Sequence, residues 1–165
     1  MRVLPADPGL RLIVATDGAA RGNPGPAGVG VHITDEPGRT VAEIARGIGI
    51  ATNNVAEYTA AIDGLTRAAD LGATDVLLRS DSRLLVEQLA GRFRVKNPTL
   101  QRLHAEVRAL ARGFRSVAYE HVPREQNKEA DRLANAGVHE WLATEGREWA
   151  PPGAAPSLWP DDAEA

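Results

Sequence analysis

Thr16-Asp17-Gly18-Ala19-Ala20-Arg21-Gly22-Asn23-Pro24-Gly25-Pro26-Ala27-Gly28 is the stretch on which the fold turns. An acid ends the apolar run Leu12-Ile13-Val14-Ala15, and the residues after it include four glycines and two prolines. Glycine lets backbone N–H groups come close to a ligand, and the carboxylate stands at the mouth of that segment. Taken alone, the same pattern is equally a tight turn beside an exposed Asp. Three further acids in matching contexts add weight: Glu57 after Thr52-Asn53-Asn54, Asp81 ending a second apolar run, and Asp131 opening a late helix.

Outward from this stretch, Leu12 to Asp17 reads as a central strand, apolar on both covered faces. Val29, Val31 and Ile33 alternate with Gly28, Gly30 and His32 as a second strand. After the turn Asp35-Glu36-Pro37-Gly38, a third strand runs from Thr40 to Ile50. The period then becomes helical: Val55, Tyr58, Ile62, Leu65 and Ala69 share one face, with Thr52 to Asn54 as N-cap candidates and Gly72 past the end. Val76-Leu77-Leu78 is a fourth strand and Leu84, Leu85 and Leu89 mark a short helix. Leu100, Leu103, Val107 and Leu110 mark another, Val117 to Val122 is a fifth strand, and a last helix starts at Asn127 or Lys128. The order βββαβααβα predicts an α/β fold with a mixed five-stranded sheet. Strands one to three run antiparallel, strands one, four and five parallel, and helices cover both faces. Ligands in such sheets gather beyond the carboxyl ends of the parallel strands, where Asp17 and Asp81 stand. Glu57 and Asp131, near helix N-termini, face the same rim.

A chain of 165 residues with a 43% apolar share suits one core. The expected organisation is an N-terminal extension over 1–9, a folded domain over 10–144 and a Pro/Ala-rich tail or linker over 145–165, with Trp149 and Trp159 able to dock on the domain. With no cysteine there is neither a disulfide framework nor a thiolate metal site. No apolar run of about 18 residues predicts a membrane span, and Met1 to Pro5 does not read as the start of a signal peptide. A cytoplasmic monomer without membrane contact is the expectation. A net charge of −3 argues against nucleic-acid binding by bulk charge alone. Yet from Arg92 to Arg115 seven cations face the single acid Glu106. Arg108, Arg112 and Arg115 fall at helical spacing as a basic stripe, either a solvated face or a phosphate-tracking surface.

Four clustered carboxylates repel one another, so a purely structural role is costly unless cations or shifted pKa values relieve them. All-oxygen ligation selects Mg²⁺ or Mn²⁺ over zinc. Two such ions about 4 Å apart can activate a water and stabilise the leaving oxygen of a phosphodiester. Each acid also has a plainer reading. Asp81-Ser82 can cap the following helix, Asp131 can answer a helix dipole, and Glu57 can be a solvent-facing first-turn acid.

The residues also resemble type 1 ribonucleases H over roughly residues 10–140. The resemblance is carried, in the family's order, by Thr16-Asp17-Gly18 with Gly22-Asn23-Pro24-Gly25-Pro26, Thr52-Asn53-Asn54-Val55-Ala56-Glu57, Ser80-Asp81-Ser82 and Asn127-Lys128-Glu129-Ala130-Asp131-Arg132-Leu133-Ala134. It implies a ribonuclease-H-like fold with Asp17, Glu57, Asp81 and Asp131 as metal-binding catalytic acids for two Mg²⁺ or Mn²⁺ ions. It also implies hydrolysis of the RNA strand of RNA/DNA hybrids to 5′-phosphate and 3′-hydroxyl ends. By the same resemblance, Gly18, Gly22, Asn23, Asn53 and Asn54 contact the minor groove, where the 2′-hydroxyl marks RNA. Thr52, with Asn23, helps hold a DNA phosphate.

Three departures qualify the match. Arg83 stands where members often carry Gln, so the RNA contact there becomes ionic. Gly91 to Pro98 leaves no room for the extra helix and basic protrusion of some relatives. The loop His121-Val122-Pro123-Arg124-Glu125-Gln126-Asn127 is shorter than the one that carries a mobile His in many relatives. It resembles the branch lacking that His, which includes archaeal and some bacterial members. His121 then belongs to the fifth strand, and Arg124 is the candidate for the scissile phosphate or leaving group. Two other functions stay open: a hybrid-binding module without chemistry, and the N-terminal nuclease part of a bifunctional protein.

Overall fold

The structure, a computed structural model, describes residues 8–150. The parts of the extension and tail at 1–7 and 151–165, Trp159 among them, lie outside the described residues. Five strands form one sheet in the order β3-β2-β1-β4-β5: β1 (Arg11–Ala20), β2 (Gly25–Asp35), β3 (Thr40–Ala51), β4 (Asp75–Ser80) and β5 (Ser116–His121). β1 pairs antiparallel with β2 and parallel with β4, β2 pairs antiparallel with β3, and β4 pairs parallel with β5. The helices are α1 (Asn53–Asp70), α2 (Arg83–Leu89), α3 (Pro98–Ala111) and α4 (Lys128–Ala143), with a 3-10 turn at Arg124–Gln126. This is the mixed α/β sheet that the sequence predicts.

The helices start where side chains can satisfy free backbone N–H groups. Thr52 Oγ1 accepts from the Val55 N–H at 3.2 Å, Ser82 Oγ from Leu85 at 3.2 Å and Asn97 Oδ1 from Leu100 at 3.1 Å. The main core lies between the sheet and α1 with α3, where Leu12, Val14, Val31, Ile33, Tyr58, Leu65, Leu78 and Val107 are buried. Burying each such side chain stabilises the fold by about 1.5–3 kcal/mol.

Three expectations change. β1 does not end at Asp17: antiparallel pairing with β2 carries it to Ala20↔Ala27, and the loop shrinks to the four residues 21–24. β1 is also not sealed on both faces. Leu12, Val14 and Thr16 are buried, but Ile13 and Ala15 are only half-buried, because α4 is seated mainly on β2 and β3. The basic stripe breaks too. Arg112 is the C-cap of α3, while Arg115 lies beyond it, 2.6 Å from Asp75. Arg115, Ser116 and Thr74 together hold the Asp75 carboxyl well below the usual carboxylate range. After α4, Glu145 to Glu148 continue in turns, and the Gly146 N–H donates to the Trp141 carbonyl at 2.7 Å.

On the second face α4 lies almost on the backbone of β2. A Cβ on Gly30 would stand 2.0 Å from the Ala130 carbonyl oxygen, and one on Gly28 2.5 Å from that of Ala134. The glycines that alternate along β2 therefore form the seat of α4, and α4 carries Asp131. Gly30→Ala must push the helix off this seat, an overpacking cost of about 1–3 kcal/mol. Urea unfolding is expected to show a lower midpoint with an unchanged slope.

Candidate active site

Parallel pairing of β1 with β4 ends at Ala15↔Arg79, and Asp17 and Asp81 each stand two residues farther on. The shared offset brings the two acids to one level at the carboxyl end of both strands. Ser82 rather than Asp81 caps α2, so the acid is left free of that duty. Glu57 arrives from α1, and Gly18 is what lets it in. A Cβ there would meet the Ala56 carbonyl carbon and the Glu57 nitrogen at 2.4 Å. One carboxylate oxygen each from Asp17, Glu57 and Asp81 then lie within 4.8 Å of one another. Asp131, in the first turn of α4, acts on Asp17 by charge and by hydrogen bond.

These four acids, with Gly18, Asn53, Arg124 and Asn135, line a cleft of about 480 Å³. The Arg124 guanidinium stands 3.9 Å from Asp131 and its side chain is 82% exposed. Of the other residues predicted for the site, Gly22, Asn23, Thr52, Asn54 and Arg83 are not among those lining this cleft. Asn23 Oδ1 accepts from the Asn53 N–H at 3.0 Å, joining the β1–β2 turn to the start of α1. Thr52 caps α1, while Asn54 and Arg83 are exposed at the starts of α1 and α2. His121 ends β5, as the sequence reading expects, and its Nε2–H donates to the Asp81 carbonyl at 3.2 Å. Asn135 was missed. It lies one helical turn beyond Asp131, and its Nδ2–H donates to the Asp131 carbonyl at 2.9 Å, so i,i+4 spacing was its available signal.

The electrostatics are those of acids held together against repulsion. Burial, then the charge of Asp81, raises the Asp17 carboxyl to about 7, with a hydrogen bond from Glu57 acting the other way. Burial, then the charge of Asp17, pushes Glu57 well above the usual carboxylate range, opposed by the Gly18 N–H that donates to it. Glu57 Oε2 is buried without a hydrogen-bond partner. An unpartnered buried oxygen facing other acids suits a hard cation, and the all-oxygen donor set matches that chemistry.

A family model described as reverse transcriptase-like matches residues 15–137. The bifunctional protein Rv2228c of Mycobacterium tuberculosis is 49% identical over 127 residues, covering 76% of this chain and 35% of that protein. The chain thus spans about a third of that relative's length. Ribonuclease HI of Halobacterium salinarum is 46% identical over 136 residues, covering 82% of this chain and 68% of its own length. The crystal structure of that archaeal RNase H1 superposes with a TM-score of 0.77, covering 79% of this chain and 98% of that one. LC11-RNase H1, solved in complex with an RNA/DNA hybrid, is 43% identical with a TM-score of 0.76, covering 79% and 99%.

Because the folded-state pKa of Asp17 is raised from 3.8 to about 7, its contribution to stability is fully present below about pH 4 and is lost as pH rises through 7. Glu57 acts in the same direction. With chelator present, the melting temperature is expected to fall between pH 5 and pH 8. Millimolar Mn²⁺ restores it at pH 8, since an ion bound only by the folded state stabilises that state. Asp17→Asn removes one repelling charge, and at pH 8 without metal it is expected to be more stable than wild type by about 2 kcal/mol.

Proposed function

This chain belongs to the ribonuclease H family, and from that premise we propose that it is a metal-dependent endonuclease hydrolysing the RNA strand of RNA/DNA hybrids. The observation that carries the reading is the trio Asp17, Glu57 and Asp81 with ligand oxygens within 4.8 Å, in a cleft that also presents Asp131 and Arg124. In this reading Asp17, Glu57, Asp81 and Asp131 hold two ions, Mg²⁺ or Mn²⁺. Bound there, the ions supply Lewis-acid stabilisation of developing negative charge and lower the pKa of the attacking water.

The protein's own groups do the rest. Water oxygen adds to phosphorus in line as the bond from phosphorus to the 3′ oxygen breaks; the water gives up one proton and the 3′ oxygen takes one up, leaving as a hydroxyl, so the phosphate stays on the 5′ end. Arg124, a planar guanidinium beside Asp131, suits the charge on the scissile phosphate and the departing oxygen. Gly18 and Gly22 offer backbone groups, and Asn23, Asn53 and Asn54 offer amides, to a minor groove in which the 2′-hydroxyl identifies RNA. The Asn23–Asn53 hydrogen bond supports this assignment, because it holds two of these groups as one rim. Thr52 with Asn23 takes a DNA phosphate, and Arg83 an RNA phosphate. The loop with Arg92, Phe93, Arg94 and Lys96 adds exposed cations beside an exposed aromatic. Its grip on the hybrid weakens with salt.

The same reading takes the protein to be a monomer, and puts it in the cytoplasm, for which its cysteine-free composition is the support. Among the described residues no helix is long and apolar enough to cross a membrane. A role as the nuclease part of a longer bifunctional protein is favoured by the 49% identity to Rv2228c.

Strand-labelled RNA/DNA, RNA/RNA and DNA/DNA duplexes, incubated in parallel with Mg²⁺ or Mn²⁺, test the reading. Cleavage is expected in the RNA of the hybrid alone. Asp81→Asn is expected to lower kcat by about 10³-fold or more, and equal activity of this variant would remove the catalytic assignment. Arg124→Ala is expected to lower kcat about 10²-fold at saturating hybrid; an unchanged rate would return Arg124 to the solvated surface.

A further inference from the structure

Asn127 is a buried polar residue that the mechanism above does not use. It is 2% exposed, and Thr16 and Ser80, the residues before Asp17 and Asp81, are both fully buried. Its Nδ2–H donates to the Thr16 carbonyl at 3.0 Å, across 111 residues of sequence. Its backbone N–H donates to the Arg124 carbonyl at 3.0 Å, and its own carbonyl accepts from the Asp131 N–H at 3.1 Å. Thr16 in turn donates through Oγ1 to the Arg79 carbonyl at 3.3 Å, two residues before Asp81. One residue therefore touches the neighbour of Asp17, Arg124 itself and Asp131 itself.

The ordinary use of Asn at a helix start does not explain this. Asn127 is the N-cap of α4, but its side chain makes no capping hydrogen bond, and Oδ1 is buried without a protein partner. The amide instead directs its donor at the strand that carries Asp17. Only a donor suits a backbone carbonyl there, and a carboxylate would set lone pair against lone pair. We propose that Asn127 is a positioning residue, whose amide bond to Thr16 pins the start of α4 to β1 and so sets Asp131 and Arg124 against Asp17. This rests on the hydrolytic reading above.

The test compares wild type with Asn127→Ala, Asn127→Asp and, as a purely structural control in the remote core, Val107→Ala, each assayed well below its melting temperature. Asn127→Asp keeps the side-chain shape and removes the donor, so it serves if the alanine variant does not fold. Both Asn127 variants are expected to lower kcat on the hybrid by about 10- to 100-fold, with KM within about threefold, while Val107→Ala keeps its kcat. Without substrate, the Mn²⁺ concentration giving half the rise in melting temperature is expected to increase about 10-fold in the Asn127 variants alone. Wild-type kcat in both Asn127 variants, or losses of kcat and Mn²⁺ response no larger than in Val107→Ala, would overturn the proposal. Should wild type not cut the hybrid, the hydrolytic reading fails, and the Mn²⁺ comparison still decides the role of Asn127.

Discussion

Carboxylates held within 4.8 Å of one another at the buried end of a sheet repel, and much of this fold can be understood as what keeps them there. In water the same acids would separate and ionise. Here Asp17 is 5% exposed and lies in the middle of a paired strand, so neither it nor its neighbours can retreat. The repulsion appears as raised pKa values for Asp17 and Glu57, with burial as the larger cause and neighbouring charge the next. Protons relieve it at low pH, and divalent cations are suited to relieve it near neutrality. Stability and charge storage are thereby opposed at the same residues.

Three devices hold the acids in place, each depending on close backbone approach or on a buried donor. The register of β1 against β4 brings Asp17 and Asp81 level. Bare backbone at Gly18 admits α1 and with it Glu57, while Gly28 and Gly30 admit α4 and with it Asp131. Buried donors on Thr16 and Asn127 satisfy backbone carbonyls of other elements, those of Arg79 and Thr16. Apolar side chains at 16 and 127 would remove those donors, which is expensive in a low-dielectric interior.

The wall opposite the glycine-rich turn gives this chain its own character. His121 is committed to the Asp81 carbonyl, and the residue that reaches the cleft from that loop is Arg124, a permanent cation that cannot shuttle protons at neutral pH. In the proposed reading, grip on a duplex would rest on short, local features, the rim joined through Asn23 and Asn53 and the basic loop before α3, in a protein whose net charge is −3.

The strands, helices and caps were legible in the sequence because they are local. Period-two and period-3.6 patterns, Thr52, Ser82 and the glycines past helix ends act within a few residues. The βββαβααβα order then restricts the sheet to few topologies, and the four acids stand out by their matching contexts together with the family resemblance. What lay beyond the sequence depends on contacts between distant segments. β1 runs on to Ala20 because β2 pairs with it, and Arg115 leaves the expected stripe because Asp75 lies across the sheet edge. Gly18, read as a ligand-facing position, lines the cleft and also gives α1 its close approach, and Asn127, read as a helix start, reaches back to Thr16. Asp17 itself changed from an acid at the mouth of a loop to one locked inside a strand. Residue type and spacing supplied the charges; only tertiary packing, through register and backbone contact, determined how closely they are forced together.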